Sequence, residues 1–215
     1  MVLDTDYAKG PWHPAPTALN DVLAVIEYAK SQPTWLDGSR LTTGGYSAGG
    51  CLALLAAAAL PKGEVKCVAA WYPAVDLREG IREEVPPVAG DEVPGIGPGQ
   101  GLSPHVVKYV FGRAYLQPGV DPADPRISPI CCDPEAFPPI TIIVGTKDPL
   151  YADCVAFHRK LEASGHDIDF MPVPRGQHGW ERYVKKDMPV FGQLREEAFR
   201  RTLERLRAAH APSTS

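Results

Sequence analysis

Residues Gly45-Tyr46-Ser47-Ala48-Gly49 constrain this chain more than any other stretch. They follow a short strand-like run, Arg40-Leu41-Thr42-Thr43, and lead into an alanine- and leucine-rich run from Cys51 to Leu60. The pattern is G-x-S-x-G. A serine at the tip of a sharp strand-to-helix turn must take backbone angles that most residues avoid, so its neighbours must be small. The residues two before and two after it pass close together, and glycine at 45 and 49 leaves room for that approach. The turn lifts the serine hydroxyl out of the sheet. A helix starting at Ala48 points its unpaired N–H groups and its positive dipole end toward the serine. Gly and Ser are common in plain turns as well, so the flanks decide. Cys51–Leu60 has strong helix propensity and no polar face, as expected for a helix buried against a sheet.

Two further residues fit the same pattern. Ile140-Thr141-Ile142-Ile143-Val144 is a continuous run rich in β-branched residues, as a fully buried parallel strand requires. It ends in Gly145-Thr146-Lys147-Asp148, and in open α/β sheets the reactive groups collect at the carboxyl ends of strands. A further strand is predicted from about Asp167 to Val173, followed by Pro174-Arg175-Gly176-Gln177-His178-Gly179. The chain order is therefore Ser47, Asp148, His178. Asp148-Pro149 also reads as a helix start, with Asp as cap and Pro in the first turn, and both roles can hold at once. Asp153 is a rival acid, expected one turn into that helix and facing solvent. His158 is expected mid-helix, His166 in a turn, His210 near the tail, and His13 and His105 in proline-rich loops. Only His178 follows a predicted strand between glycines, where a loop can bend back over Ser47.

Composition bounds the remaining classes. A chain of 215 residues with 44% hydrophobic content can bury one core, and a single soluble domain is expected. The net charge of −4 comes with no basic patch for nucleic acid. Ala53–Leu60 is too short for a membrane span. The N-terminus shows no charged-then-apolar signal segment, so a cytoplasmic site is the default expectation, although a shortened start would also have removed such a segment. The five cysteines have no metal-type spacing, and adjacent Cys131-Cys132 read as reduced thiols. No phosphate loop, dinucleotide fingerprint or H-E-x-x-H motif is present, so no cofactor or metal is expected.

From about Asp76 to Pro129 the strand–helix alternation breaks. Gly80–Gly101 is rich in Pro, Gly and acidic residues, and Ser103–Leu116 reads as a short amphipathic helix. This segment, 76–129, reads as a cap-like insertion over the site, set against the alternative of a disordered surface insertion. Phe191–Ala209 reads as a charged amphipathic helix packed on the sheet, its charges forming a solvated face.

The chain resembles the hormone-sensitive-lipase-like carboxylesterases of the α/β-hydrolase fold over nearly its whole length. Asp6-Tyr7, Pro11, His13-Pro14 and Pro16 resemble that family's D-Y-R-L-A-P-E-H-P-x-P segment. Gly45 to Ala53 resembles G-D-S-A-G-G-N-L-A. Tyr72-Pro73 resembles the pair after its sixth strand, and Asp124-Pro125-Arg126-Ile127-Ser128-Pro129 the D-P-R-x-S-P closing its cap. Phe137-Pro138-Pro139, Gly145, Asp148-Pro149-Leu150 and His178-Gly179-Trp180 match the stretches that carry its acid and histidine. The Ser…Asp…His order is also that of the α/β-hydrolases. The resemblance implies a mostly parallel sheet flanked by helices, and a Ser47–His178–Asp148 triad cleaving small acyl esters. It further implies the Ala48 N–H as an oxyanion donor, no cofactor, and a small-molecule ester as partner.

The departures carry expectations too. The family's H-G-G-G stretch, which supplies most of its oxyanion hole, does not occur in these 215 residues, nor do the strands before it. Ala8 and Trp12 stand where the family usually has Arg and Glu, which removes an ion pair near the site. Tyr46 and Cys51 replace its more common Asp and Asn. Val2-Leu3-Asp4 looks like the family's fourth strand but lacks its usual neighbour. It could slide over to pair with the Leu41 strand, another chain could fill the gap, or the sequence could be a shortened version of a longer protein. An unpaired edge of this kind invites self-association. The alternative function is a catalytically impaired remnant or a small-molecule-binding protein. Weak or no turnover on short nitrophenyl esters is expected, with lower solubility than a version extended at its N-terminus. Tyr46 and Trp180 are both expected to be buried supports of their loops.

Overall fold

The computed structural model describes residues 1–32, 34, 36–78, 112–183 and 189–211. Its framework is a four-stranded sheet. The strands are β1 (Leu41–Tyr46), β2 (Val65–Trp71), β3 (Ile140–Gly145) and β4 (Ile168–Val173). They lie side by side in that order, all parallel. Every residue of β3 is buried, and β2 nearly so, because helices cover the faces of a parallel sheet. The helices are α1 (Thr17–Lys30), α2 (Ala48–Ala59), α3 (Tyr151–Ala163) and α4 (Pro189–Ala209). α2 lies against β1 and β2, α1 packs on α2, α3 packs on β3 and β4, and α4 packs on β2 and β3. In α2 every residue from Gly50 to Ala57 is buried, which explains why its sequence lacks a polar face.

Register brings the carboxyl ends into one row. Tyr46 sits opposite Trp71, Trp71 opposite Ile143, and Gly145 opposite Val173. The loops leaving β1, β2, β3 and β4 therefore emerge at one edge of the sheet.

The N-terminus departs from expectation. Val2-Leu3-Asp4 forms no strand, and no described strand pairs with the outer side of β1. Val2 is 90% exposed. Three residues offer few ladder hydrogen bonds against the entropy of ordering them. The chain is tied to α1 only farther on, where the Asp21 carboxylate accepts the Ala8 N–H at 2.8 Å.

The charges of α4 do more than face water. Arg201 donates to Asp169 of β4 at 2.7 Å, and Arg205 to Asp167 at 2.7 Å, so two arginines moor the helix to the β4 edge. The His210 ring meets the Thr42 hydroxyl of β1 at 2.8 Å. Along the outer face, Arg200 and Arg201 donate to Glu197, which lowers its carboxyl from an ordinary 4.5 to about 2. A lowered carboxylate contributes stability that is present above its unfolded value and lost as pH falls through its folded value. The Glu197 contribution, small at an exposed site, should therefore disappear between about pH 4.5 and 2. A carboxyl carbon titration by NMR, with a midpoint near 4.5, would contradict the pairing.

Most of the expected insertion, including most of the predicted helix 103–116, lies outside the described residues. Its two stems are described. Ile130 N–H donates to Val75 C=O at 3.0 Å, and the Ser128 hydroxyl accepts Leu77 N–H at 2.9 Å. Buried Asp76 takes a two-pronged ion pair from Arg78.

Candidate active site

Ser47 occupies the turn between β1 and α2 with φ 54° and ψ −117°, a left-handed conformation that a side chain adopts only under constraint. Two bonds hold it there: its N–H donates to Trp71 C=O at 2.9 Å, and its C=O accepts Cys51 N–H at 3.1 Å. The glycine requirement is one-sided. A Cβ on Gly45 would stand 2.5 Å from the Gly49 carbonyl carbon, whereas a Cβ on Gly49 would meet nothing within 4 Å. Ala48 is the first helical residue, so its N–H has no partner within the helix.

The structure brings Ser47, His178 and Asp148 together. His178 Nε2 lies 2.9 Å from Ser47 Oγ, and His178 Nδ1 lies 2.8 Å from Asp148 Oδ2. Asp148 is buried, and its other oxygen accepts the Leu150 N–H at 2.8 Å. That bond closes a turn just ahead of α3, but the helix starts at Tyr151 with Leu150 in its cap position and no side-chain cap, so Asp148 and Pro149 precede the helix rather than capping and opening it as expected. The carboxylate then has one oxygen for the backbone and one for the imidazole.

Asp153 is a correction: it is only 3% exposed, because α3 turns that face toward the body of the protein. His158 stacks on Phe170 at 4.5 Å, His166 bonds Pro138 C=O at 2.9 Å, and His210 reaches Thr42. His105 lies outside the described residues. The two flanking aromatics part company. Trp180 is 2% exposed and stacks on Trp71 at 6.1 Å, but Tyr46 is 41% exposed. Tyr46 ends the edge strand, so only its inner side meets Trp71 and Tyr72.

The loops carrying Asp148 and His178 are stitched to each other. Gly145 and Gly176 touch backbone to backbone, and a Cβ on Gly145 would overlap the Gly176 carbonyl. Lys147 N–H donates to Gly176 C=O at 3.0 Å, Thr146 N–H to Val173 C=O at 2.9 Å, and Arg175 N–H to the Thr146 hydroxyl at 2.7 Å. Under the imidazole lies Tyr72, edge-on to the His178 ring at 4.7 Å, its hydroxyl donating to Glu181 at 2.6 Å. Burial, then that bond, push the Tyr72 phenol well above its usual 10. Sequence reasoning valued Gly145 and Tyr72 only as points of family likeness and missed Gly176, Thr146 and Glu181. The one local clue was the glycine spacing around each loop. Among the described residues no group of three His, Cys, Asp or Glu could hold a metal, and no helix is long and apolar enough to cross a membrane.

A parallel sheet with a strained serine, a histidine and a buried aspartate lined up along its carboxyl edge defines an α/β-hydrolase scaffold. The family model for the alpha/beta hydrolase fold matches residues 1–182. The chain belongs to the hormone-sensitive-lipase-like carboxylesterase family of that fold. It is 29% identical over 192 residues to the carboxylic ester hydrolase LipN of Mycobacterium tuberculosis, a match covering 84% of this chain and 48% of LipN. It is 29% identical over 205 residues to Lipase 2 of Moraxella sp., covering 83% of this chain and 47% of that protein. The chain thus spans about half the length of these curated relatives. Among solved structures it resembles EstE1, a thermostable carboxylesterase from a metagenomic library, with TM-score 0.77 and 25% identity over 96% of this chain and 68% of that one. Vibralactone cyclase shares the fold at TM-score 0.75 and 20% identity, over 95% of this chain and 61% of that one.

Proposed function

We propose that this chain is an ester hydrolase working through Ser47, His178 and Asp148. The observation that carries the reading is the unbroken row from Ser47 Oγ through the imidazole to a buried carboxylate, with both links under 3 Å. Ser47 Oγ attacks the ester carbonyl while His178 Nε2 takes its proton. The imidazolium then gives that proton to the leaving alcohol, and water repeats the sequence on the acyl-serine. Asp148 holds the proton on Nδ1 and stabilises the imidazolium. Ala48 N–H donates to the tetrahedral oxyanion from the start of α2. Small acyl esters are the proposed substrates, in keeping with the carboxylesterase and ester hydrolase names of the relatives. Residues 76–129 are proposed as a cap within a single domain.

A second reading, a ligand-binding protein without turnover, is favoured by one fact: these 215 residues contain no H-G-G-G. Each missing oxyanion donor costs about 10²–10³-fold in kcat, so turnover by this chain should be slow. Labelling by a fluorophosphonate, together with hydrolysis of p-nitrophenyl butyrate, separates the readings. The expected result is one phosphonyl group on the Ser47 peptide, slow hydrolysis, and loss of both in Ser47→Ala. Equal labelling in Ser47→Ala overturns the nucleophile, and reversible ester binding with no labelling supports the second reading. Hydrolysis at ordinary esterase rates, lost in the variant, would place further donors elsewhere in the chain.

A further inference from the structure

We propose that Tyr72 and Glu181 form a positioning pair that keeps the His178 imidazole aligned between Ser47 and Asp148; the proposal rests on the hydrolase reading. Hydrogen bonds at Nδ1 and Nε2 hold an imidazole along one line but leave it free to rock about that line. The Tyr72 ring, packed against it at 4.7 Å and 62°, blocks the rocking.

Tyr72 is itself tied to every part of the site. It follows Trp71, whose carbonyl accepts the Ser47 N–H, and its own N–H donates to Ile143 C=O of β3 at 2.6 Å. Its hydroxyl reaches Glu181, three residues beyond His178 in the same loop. One buried side chain therefore references the histidine loop to the serine turn and to the central strand.

Two features argue that the arrangement is not there for stability. Tyr72 has φ 39°, a left-handed backbone that a bulky aromatic residue adopts only when its surroundings force it. Glu181 is buried, and its Oε1 takes the Tyr72 hydroxyl and, at 3.4 Å, the exposed Arg182 guanidinium, yet its second oxygen, Oε2, has no hydrogen-bond partner among the described residues. A buried carboxylate with incomplete partners is costly, and replacing such groups by apolar residues of similar volume is often neutral or stabilising. Strain and an under-satisfied acid at one contact mark a place where geometry is favoured over stability.

The test uses variants that separate the hydrogen bond from the charge while keeping an aromatic ring at position 72, so that they ask whether the bond to Glu181 is what holds that ring in place. Tyr72→Phe removes the hydroxyl, Glu181→Ala the acceptor, and Glu181→Gln only the charge. Tyr72→Phe with Glu181→Leu removes the pair without leaving a buried acid, so this variant should fold even if Tyr72→Phe alone does not. The readouts, all taken well below each melting midpoint, are the fluorophosphonate labelling rate of Ser47, kcat and KM on p-nitrophenyl butyrate, and the NMR resonance of the His178 Nδ1 proton. Misplacing a base by about an ångström costs up to roughly 100-fold. Labelling and kcat should accordingly fall about 10- to 100-fold in Tyr72→Phe, in Glu181→Ala and in the apolar double variant. KM should stay near wild type, and the Nδ1 proton signal should broaden. Glu181→Gln should label within about threefold of wild type, because a carboxamide oxygen still accepts from Tyr72. A wild-type labelling rate and a sharp Nδ1 signal in the apolar double variant would show the pair to be structural only and overturn the proposal. If the wild-type chain does not label at all, the hydrolase reading fails on its own, and the Nδ1 signal still decides the positioning role.

Discussion

Asp148→Asn should slow phosphonylation of Ser47 about 10⁴-fold while the protein keeps its fold. The two oxygens of Asp148 have separate partners, the Leu150 N–H and His178 Nδ1. Asparagine keeps one oxygen, and the backbone amide of Leu150 claims it, because an amide N–H cannot accept. The NH₂ group then faces Nδ1, which must become an acceptor, and the ring proton moves to Nε2. Nε2 now presents a hydrogen to Ser47 Oγ and can no longer take one away. The size and shape of the side chain are preserved, so the melting midpoint should move little. The measurement is the labelling rate beside thermal unfolding. A loss below tenfold with the fold intact would remove Asp148 from the proposed mechanism.

Gly145→Ala should cost about 3 kcal/mol or more, a drop of roughly 6–12 °C in melting midpoint for a domain of this size. The added Cβ would overlap the Gly176 carbonyl, and backbone lies on both sides, so no side chain can swing away. Relief requires pulling apart the bonds from Thr146, Lys147 and Arg175 that stitch the Asp148 loop to the His178 loop. Labelling of Ser47 should fall about 10²-fold in the folded fraction, because Asp148 and His178 are displaced from each other. Gly49→Ala is the control. Its Cβ meets nothing within 4 Å, and alanine suits a first helical turn, so its stability should stay within about 1 kcal/mol of wild type. Equal behaviour of the two variants would contradict the loop contact.

What could be read along the chain was whatever depends on near neighbours in sequence. Small residues around Ser47 announced the strained turn, and an apolar alanine–leucine run announced the buried helix behind it. The β-branched run 140–144 announced a central strand, and a histidine between glycines announced a loop able to bend. Assignments that depend on what lies across space fared worse. Its place in a helix points Asp153 to solvent, but burial follows from which face that helix turns inward. An aromatic ring beside Ser47 points Tyr46 to the interior, but β1 has no described neighbour on its outer side. Arg201 and Arg205 read as a solvated face because the aspartates they reach, Asp169 and Asp167, are more than 30 residues away in the chain.

By itself, then, the sequence determined the scaffold and the three residues that could meet on it: periodicity, turn chemistry and chain order are local properties, and each leaves a pattern in consecutive residues. Only the tertiary structure decided how those residues are held. The crossing of Gly145 with Gly176 and the bond from Tyr72 to Glu181 join positions 31 and 109 residues apart. They arise when the register of a parallel sheet brings separate loop ends to one edge, and a linear pattern carries no record of which ends will become neighbours.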